Sequence, residues 1–300
     1  MNLIAIIFSF FSLYLAINGI LMYFFKNYLP DIMRQAFNYG KYAEKKQNQF
    51  LQIVEFPKKW FRHFYIVASP IATFCLFITI RKYVNNENVP EFICTILDLL
   101  MGSERKPLVS LSRTTLAIFL VTIQTTKRIY ETQSVNIFSD GKINISHYIV
   151  GYVYYIGLIA AILGESEGFN KDTMRNSKID SLKIKDLIGA IIFLWMSYQQ
   201  LQTNIILANL RKDKNGIIVT KEHKIPRGGL FNYISAPLQF TEIGMYMALK
   251  IIISQGETYF FVCLWVVVNQ FVTGLLSHQW HRNTFKDYPP SRKIIIPYLL

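Results

Sequence analysis

The chain contains seven apolar stretches, and this pattern restricts its fold more than any other feature. They lie near residues 3–25, 64–80, 108–126, 148–163, 187–208, 236–253 and 259–277. A helix needs about 20 apolar residues to cross a bilayer core of roughly 30 Å. The sequence therefore predicts an all-α integral membrane protein with about seven transmembrane helices in a single bundle. Two stretches are short and two carry polar residues, so six spans are the alternative.

The composition agrees with this class, because 52% of the 300 residues are hydrophobic and only 17% are charged. The first stretch lacks a basic segment before it and a small-residue cleavage site after it, so we expect a retained helix. Cys75, Cys94 and Cys263 are far apart in or beside apolar stretches. Their spacing predicts buried core residues and no disulfide framework.

The net charge of +13 does not predict a nucleic-acid partner, because the basic residues lie between apolar stretches instead of on one soluble face. They concentrate in the segments 26–62, 127–142, 211–227 and 282–293. Loops rich in Lys and Arg remain on the cytosolic side of a membrane. We therefore expect a cytosolic C-terminus and an N-terminus on the opposite side.

The fifth apolar stretch carries a polar stripe. Gln200, Asn204 and Arg211 recur at intervals of four and seven residues, which places them on one helical face. Hydrocarbon cannot satisfy such groups, so they must face another helix or a ligand. Arg211 also begins a basic loop in which Asn215-Gly216 is a turn signal, so we expect a short irregular or hairpin-like segment there. A phosphate-bearing ligand suits this arrangement, and interhelical hydrogen bonding is the alternative.

A second polar group lies nearer the C-terminus. Glu242 is an acid inside an apolar stretch, and His278 and His281 follow the last stretch. Ionisable residues in such places indicate a functional site. The two histidines are three residues apart and have no third ligand at a suitable spacing, so no metal site is predicted.

Several motifs of the C-terminal third resemble the steroid 5α-reductase family. They are Asn209-Leu-Arg-Lys212, His223-Lys-Ile-Pro226, Gly229-Leu-Phe-Asn-Tyr-Ile-Ser-Ala-Pro237, Glu242, Ser277-His-Gln-Trp-His281 and Asp287-Tyr-Pro-Pro-Ser-Arg-Lys293. Asn269-Gln270 and Ser277-His278 are more similar to the polyprenol (polyprenal) reductase branch than to the steroid enzymes. Phe56-Pro57-Lys58 with His63-Phe64-Tyr65, and Lys127-Arg128 with Glu131, also fit that branch.

The resemblance implies an endoplasmic reticulum membrane enzyme that binds NADPH in a pocket open to the cytosol. It implies a C-terminal catalytic and NADPH-binding domain at 141–300, with 1–140 supplying helices and a cytosolic loop on the substrate side. The family's cofactor-binding positions fall on Gln200, Asn204, Arg211, Lys224, Glu242 and His278.

The resemblance also implies reduction of a carbon–carbon double bond conjugated to a carbonyl. Polyprenal is a better substrate than polyprenol, because an aldehyde places the developing charge on oxygen. Glu55 aligns with the family's catalytic glutamate and is the candidate polarising acid, with His281 or Tyr130 as helpers.

Three departures from the family pattern occur, namely His281 for a tyrosine, Leu238 for an asparagine and Thr125 for a tyrosine that grips the steroid carbonyl. The last argues against a steroid substrate. A steroid 5α-reductase and an isoprenyl-directed membrane methyltransferase using S-adenosylmethionine are the alternatives. A transporter is disfavoured because the sequence shows no internal repeat.

Overall fold

The computed structural model describes residues 1–30, 34, 55–171, 173 and 180–299. Within these ranges, helices account for most of the chain, as predicted. They are α1 (Leu3–Phe24), α2 (Arg62–Asn85), α3 (Glu91–Met101), α4 (Leu111–Tyr130), α5 (Ile145–Leu163), α6 (Ile184–Asn209), α7 (Pro237–Ile252) and α8 (Glu257–Thr284). Two short strands, β1 (Glu55–Pro57) and β2 (Lys142–Asn144), pair antiparallel with Glu55 opposite Asn144.

Each of the seven predicted stretches lies on a helix. Four helices of the described chain are long and apolar enough to cross a membrane, which is consistent with a multi-pass membrane protein. These are α1, α2, α5 and α8. The remaining long helices, α4, α6 and α7, carry more polar residues, so the count of seven spans stays a prediction.

Helix α3 was not predicted. It has 11 residues, so at about 1.5 Å per residue it is too short to cross the bilayer. Its buried face consists of Ile93, Cys94, Leu97 and Met101. Arg105 anchors the segment behind it, donating to Asp98 Oδ1 at 2.8 Å and to the Gly164 carbonyl oxygen at 2.7 Å.

The bundle is built mainly from three helix pairs: α6 with α7, α2 with α4, and α1 with α8. Gly19 permits the last pair to approach closely, because a Cβ there would lie 2.6 Å from a methyl carbon of Val272. On its other side α1 exposes Phe10, Leu13 and Ile20, as expected of a helix that faces lipid. The three cysteines are free and buried, as predicted.

Candidate active site

The polar faces of α4, α6 and α7 meet inside the bundle. Gln200 of α6 donates from Nε2 to Glu242 Oε2 of α7 at 2.6 Å. Its Oε1 accepts from Gln124 Nε2 at 2.8 Å and from Lys127 Nζ at 2.9 Å, both on α4. Ser197 donates to the Gln124 side-chain oxygen at 2.7 Å. Gln200 therefore joins three helices, and two predicted site residues, Gln200 and Glu242, are in direct contact.

Asn204 enters the same network through a residue to which the sequence analysis gave no role. Its Nδ2 donates to Glu131 Oε2 at 3.1 Å, and Glu131 is fully buried. Glu131 begins a π-helical turn at the end of α4, a geometry that is frequent at functional sites. The available sequence signal was Lys127-Arg128 followed three residues later by an acid at the end of an apolar stretch.

Two cations balance the two carboxylates of this network. Lys127 Nζ lies 3.2 Å from Glu131 Oε1, and Arg128 binds Glu131 Oε2. Arg128 also donates from Nη2 to the Tyr65 phenol oxygen of α2 at 3.0 Å. Buried charges are costly unless they are paired and hydrogen-bonded. Glu131 Oε2 is paired with Arg128 and accepts from Asn204, whereas Glu242 is held by its hydrogen bond from Gln200. We call Tyr65, Gln124, Lys127, Arg128, Glu131, Ser197, Gln200, Asn204 and Glu242 the interior network.

Arg211 lies two residues beyond α6, at the loop end of the interior network. Its guanidinium donates to the Ile137 carbonyl oxygen in the segment that follows α4. The loop turns back as a hairpin, as predicted, with Lys212 bridged to Ile218. Burial lowers the pKa of Arg211, and Lys58 lies within electrostatic reach of it. Two neighbouring cations favour an anion at this position.

Glu55 lies on β1, outside the interior network. Its Oε2 is 3.7 Å from Lys142 Nζ of β2, and its side chain is only 8% exposed. Among the described residues, this oxygen has no hydrogen-bond partner. Tyr130, the other acid candidate of this half of the chain, is 56% exposed. Glu55 is therefore the better placed of the two to bind a ligand.

The tail after α8 folds back against that helix. His278 Nδ1 lies 2.6 Å from Ser235 Oγ, which also accepts from the Tyr288 hydroxyl at 2.6 Å. The His281 ring stacks on the Tyr288 ring with centroids 5.4 Å apart. His281 Nδ1 donates to the Ser277 carbonyl oxygen at 2.7 Å.

The predicted cofactor residues His278 and Lys224 differ in their surroundings. His278 helps to line a cavity of about 440 Å³ between the ends of α1 and α8, together with Arg282, which was not among the predicted site residues. Lys224, by contrast, is exposed on the loop that precedes α7.

Arg292 is a second residue to which the sequence analysis gave no role. It is only 4% exposed, and its Nη2 donates to the Pro226 carbonyl oxygen at 2.8 Å. Within the described part of the chain, its Nε and Nη1 are buried without a hydrogen-bond partner. Leaving charged donors unsatisfied in this way is costly. The arrangement fits an anionic group bound against Arg292.

The structure offers no comparable arrangement for a metal ion. In the ranges given above, no three His, Cys, Asp or Glu side chains lie close enough together to hold one.

Comparison with known proteins shows which family the chain is similar to. Residues 142–300 match the family model described as 3-oxo-5-alpha-steroid 4-dehydrogenase. A Drosophila melanogaster protein named polyprenal reductase is 38% identical over 100% of this chain and 94% of its own length. Proteins of the same name from Caenorhabditis elegans and Danio rerio are 34% and 32% identical, covering 87% and 91% of this chain and 85% and 89% of their own.

The family match and these relatives indicate an oxidoreductase that acts on a carbon–carbon double bond, and the four apolar helices are consistent with a membrane protein. The chain belongs to the steroid 5α-reductase family.

Proposed function

We propose that the chain is an NADPH-dependent polyprenal reductase that reduces the double bond of the α-isoprene unit, a step from polyprenol to dolichol for protein N-glycosylation. The observation that carries the proposal is the interior network, which places two carboxylates and two cations inside an apolar bundle. The polyprenal reductase relatives, which match the chain over most of its length, support it.

The residues present fit NADPH. Two buried guanidinium nitrogens of Arg292 have no partner among the residues that the structure describes, and Arg211 and Lys58 form a cationic pair. These groups would bind the negatively charged phosphates. Gln200, Asn204 and Glu242 would bind the uncharged polar parts, and His278 and Lys224 complete the predicted set. When bound, the cofactor supplies a hydride.

The chain's own residues orient the substrate and stabilise the negative charge that develops on it. Reduction of an α,β-unsaturated aldehyde puts negative charge on the aldehyde oxygen, so a donor placed there lowers the barrier. Glu55 is a candidate for this polarising role, because its buried Oε2 lacks a partner among the described residues. A carboxyl group donates only when it is protonated. His281 remains a candidate helper from the tail.

The proposal also includes the location and orientation of the protein in the membrane. We place the enzyme in the endoplasmic reticulum membrane with seven spans, the C-terminus in the cytosol and the isoprenoid tail leaving sideways into lipid. Residues 1–140 form the substrate side, and residues 141–300 form the catalytic domain. The interior network joins the two parts, because α4 belongs to the first and α6 and α7 belong to the second.

The test is NADPH oxidation by the detergent-purified protein, with polyprenal, polyprenol and a 3-oxo-Δ4 steroid offered separately. We expect turnover with polyprenal and a loss of turnover in Arg211→Ala. Lys214→Ala is the matched control, because Lys214 is an exposed cation of the same loop. Turnover with the steroid alone would contradict the proposal and support the steroid alternative. Methyl transfer from S-adenosylmethionine without NADPH oxidation would support the methyltransferase.

A further inference from the structure

In the proposed reaction the aldehyde oxygen needs a hydrogen-bond donor, and Glu55 supplies at most one. Most donors of the interior network are already engaged. The Gln200 amide donates to Glu242, and the Asn204 amide donates to Glu131. Lys127 donates to the Ser197 carbonyl oxygen and to Gln200. Thr125, on the same helix, donates its hydroxyl to the Val121 and Thr122 carbonyl oxygens.

Tyr65 differs from these residues in the direction of its hydrogen bond. Its phenol oxygen accepts from Arg128 Nη2 at 3.0 Å, since a guanidinium can only donate. The Tyr155 hydroxyl also hydrogen-bonds to Tyr65, as a donor to the phenol oxygen. With both neighbours donating to this oxygen, the phenol proton of Tyr65 is left for donation. A charge-assisted bond to the oxygen also makes the O–H a stronger donor, because hydrogen bonds in a chain polarise one another. The ring is only 5% exposed, so water competes little for this proton.

The position of Tyr65 is held from two sides. Ser69, one turn further along α2, shares a hydrogen bond of 3.0 Å with Thr126 of α4. Arg128 is held by Glu131, which in turn binds Asn204. A continuous chain of contacts therefore connects Tyr65 to Asn204, a residue proposed to hold the cofactor. The Tyr155 ring packs against Tyr65 with centroids 5.6 Å apart.

We propose that Tyr65 donates a hydrogen bond to the aldehyde oxygen of the substrate, and that Arg128 and Glu131 are positioning residues that act through Tyr65. The proposal rests on the proposed function. Hydride addition to the β carbon forms a C–H bond there and moves the double-bond electrons towards the oxygen. Tyr65 stabilises that oxygen and keeps its proton. The α carbon then takes a proton from water, so the aldehyde gains one hydride and one proton in total.

Turnover of polyprenal provides the first test. Tyr65→Phe keeps the ring and removes only the hydroxyl, and it should lower kcat by at least about 100-fold, as loss of a positioned donor in an active site does. Affinity for NADPH, followed by fluorescence, should stay within about threefold, because the substituted hydroxyl contacts Arg128 and not the phosphate-binding residues. Tyr154→Phe is the matched control. Its hydroxyl is buried without a partner among the described residues, and kcat should be unchanged.

The carbonyl stretch of a bound saturated aldehyde provides a readout that a purely structural role would not move. This aldehyde has no conjugated double bond to reduce, and a donor at its oxygen lowers the stretching frequency. The infrared band should shift to lower frequency in the wild-type protein and in Tyr154→Phe, and return towards its solution value in Tyr65→Phe. A carbonyl oxygen has two acceptor sites, so Glu55→Gln, measured in the same way, reports the contribution of Glu55 separately.

Two results would overturn the assignment of Tyr65: a kcat in Tyr65→Phe close to that of the wild type, or an infrared band that does not move in this variant. A wild-type protein that does not turn over polyprenal would instead contradict the proposed function. The difference in infrared band between the wild-type protein and Tyr65→Phe would then show separately whether Tyr65 binds a carbonyl.

Discussion

Glu131 is the buried carboxylate that pairs with both cations of the interior network. It is fully buried and pairs with Lys127 and Arg128 while accepting from Asn204. Glu131→Gln keeps the size of the side chain and removes its charge, which leaves two buried cations without their partner. We expect a loss of about 3–5 kcal/mol of stability, the usual cost of breaking a buried ion pair. Thermal unfolding in detergent measures it.

Glu55→Gln is the control for this prediction, because Glu55 lies 3.7 Å from Lys142, whose side chain is 54% exposed. Solvent screens that pair, so its loss should change stability by less than about 1 kcal/mol. Equal melting temperatures for Glu131→Gln and the wild-type protein would show that the buried cations do not need this carboxylate.

Arg292 is expected to contribute to cofactor binding more than to the stability of the fold. Its two unpartnered nitrogens are expected to bind a cofactor phosphate. A hydrogen bond to a charged group contributes about 1.5–3 kcal/mol, so Arg292→Ala should raise the KM for NADPH about 10- to 100-fold. The KM for the aldehyde should change little. Arg81→Ala is the control, because Arg81 is exposed and pairs with Glu87.

At this scale the sequence predicts which residues belong to the interior network better than which residues they contact. The sequence alone reveals that Gln200 and Asn204 share one helical face and that Glu242 is an acid in an apolar stretch. It does not reveal their partners on α4, because Gln124 and Gln200 are 76 residues apart in the chain. Only helix packing brings them together. Arg292 was missed because a basic residue near a terminus looks like a solvated one until its burial is known.

Among the elements, α8 depends on a cap supplied by another segment. Glu165, just after α5, accepts from the backbone N–H of Thr258 at 3.1 Å and from its hydroxyl at 2.6 Å. These bonds satisfy a donor at the start of α8 that has no intrahelical partner. Glu165→Ala should cost about 0.5–2 kcal/mol, as for other helix N-caps. Glu165→Gln keeps an acceptor and should lose less. Thermal unfolding of both variants at pH 7 tests this.

The same carboxyl should make stability depend on pH. Burial raises the pKa of Glu165 in the folded chain, against the opposing hydrogen bonds from Thr258. The folded chain therefore holds the proton more tightly than the unfolded chain, whose glutamate pKa is about 4.3. This contribution to stability is complete below that value and is lost as pH rises through the folded pKa. The wild-type minus Glu165→Gln difference in melting temperature should fall over that range; a constant difference would contradict the prediction.

The helices themselves were largely predictable, and the exceptions have physical causes. Long apolar runs mark α1 and α8 whatever they pack against, because the bilayer sets their length. Helix α3 was missed because 11 amphipathic residues are too few for a span and follow closely after α2. Helices α4, α6 and α7 are less apolar because each turns polar groups towards the others.

The whole molecule divides its helices by environment. Helix α1 exposes large apolar side chains along most of its length, whereas α4, α6 and α7 enclose the interior network. Such a division suits a long isoprenoid substrate. The reactive end can reach polar groups in the interior while the tail stays in contact with hydrocarbon, where apolar surface is not exposed to water.

The orientation of the molecule in the membrane is the last prediction. Seven spans are an odd number, so the two termini must lie on opposite sides, and the basic segments 211–227 and 282–293 favour the cytosol for the C-terminus. Epitope tags at each end, in sealed microsomes treated with protease, measure this directly. We expect the C-terminal tag to be removed and the N-terminal tag to be protected until detergent is added. Removal of both tags before detergent would indicate six spans, and one of the polar helices α4, α6 and α7 would then lie in the bundle without crossing it.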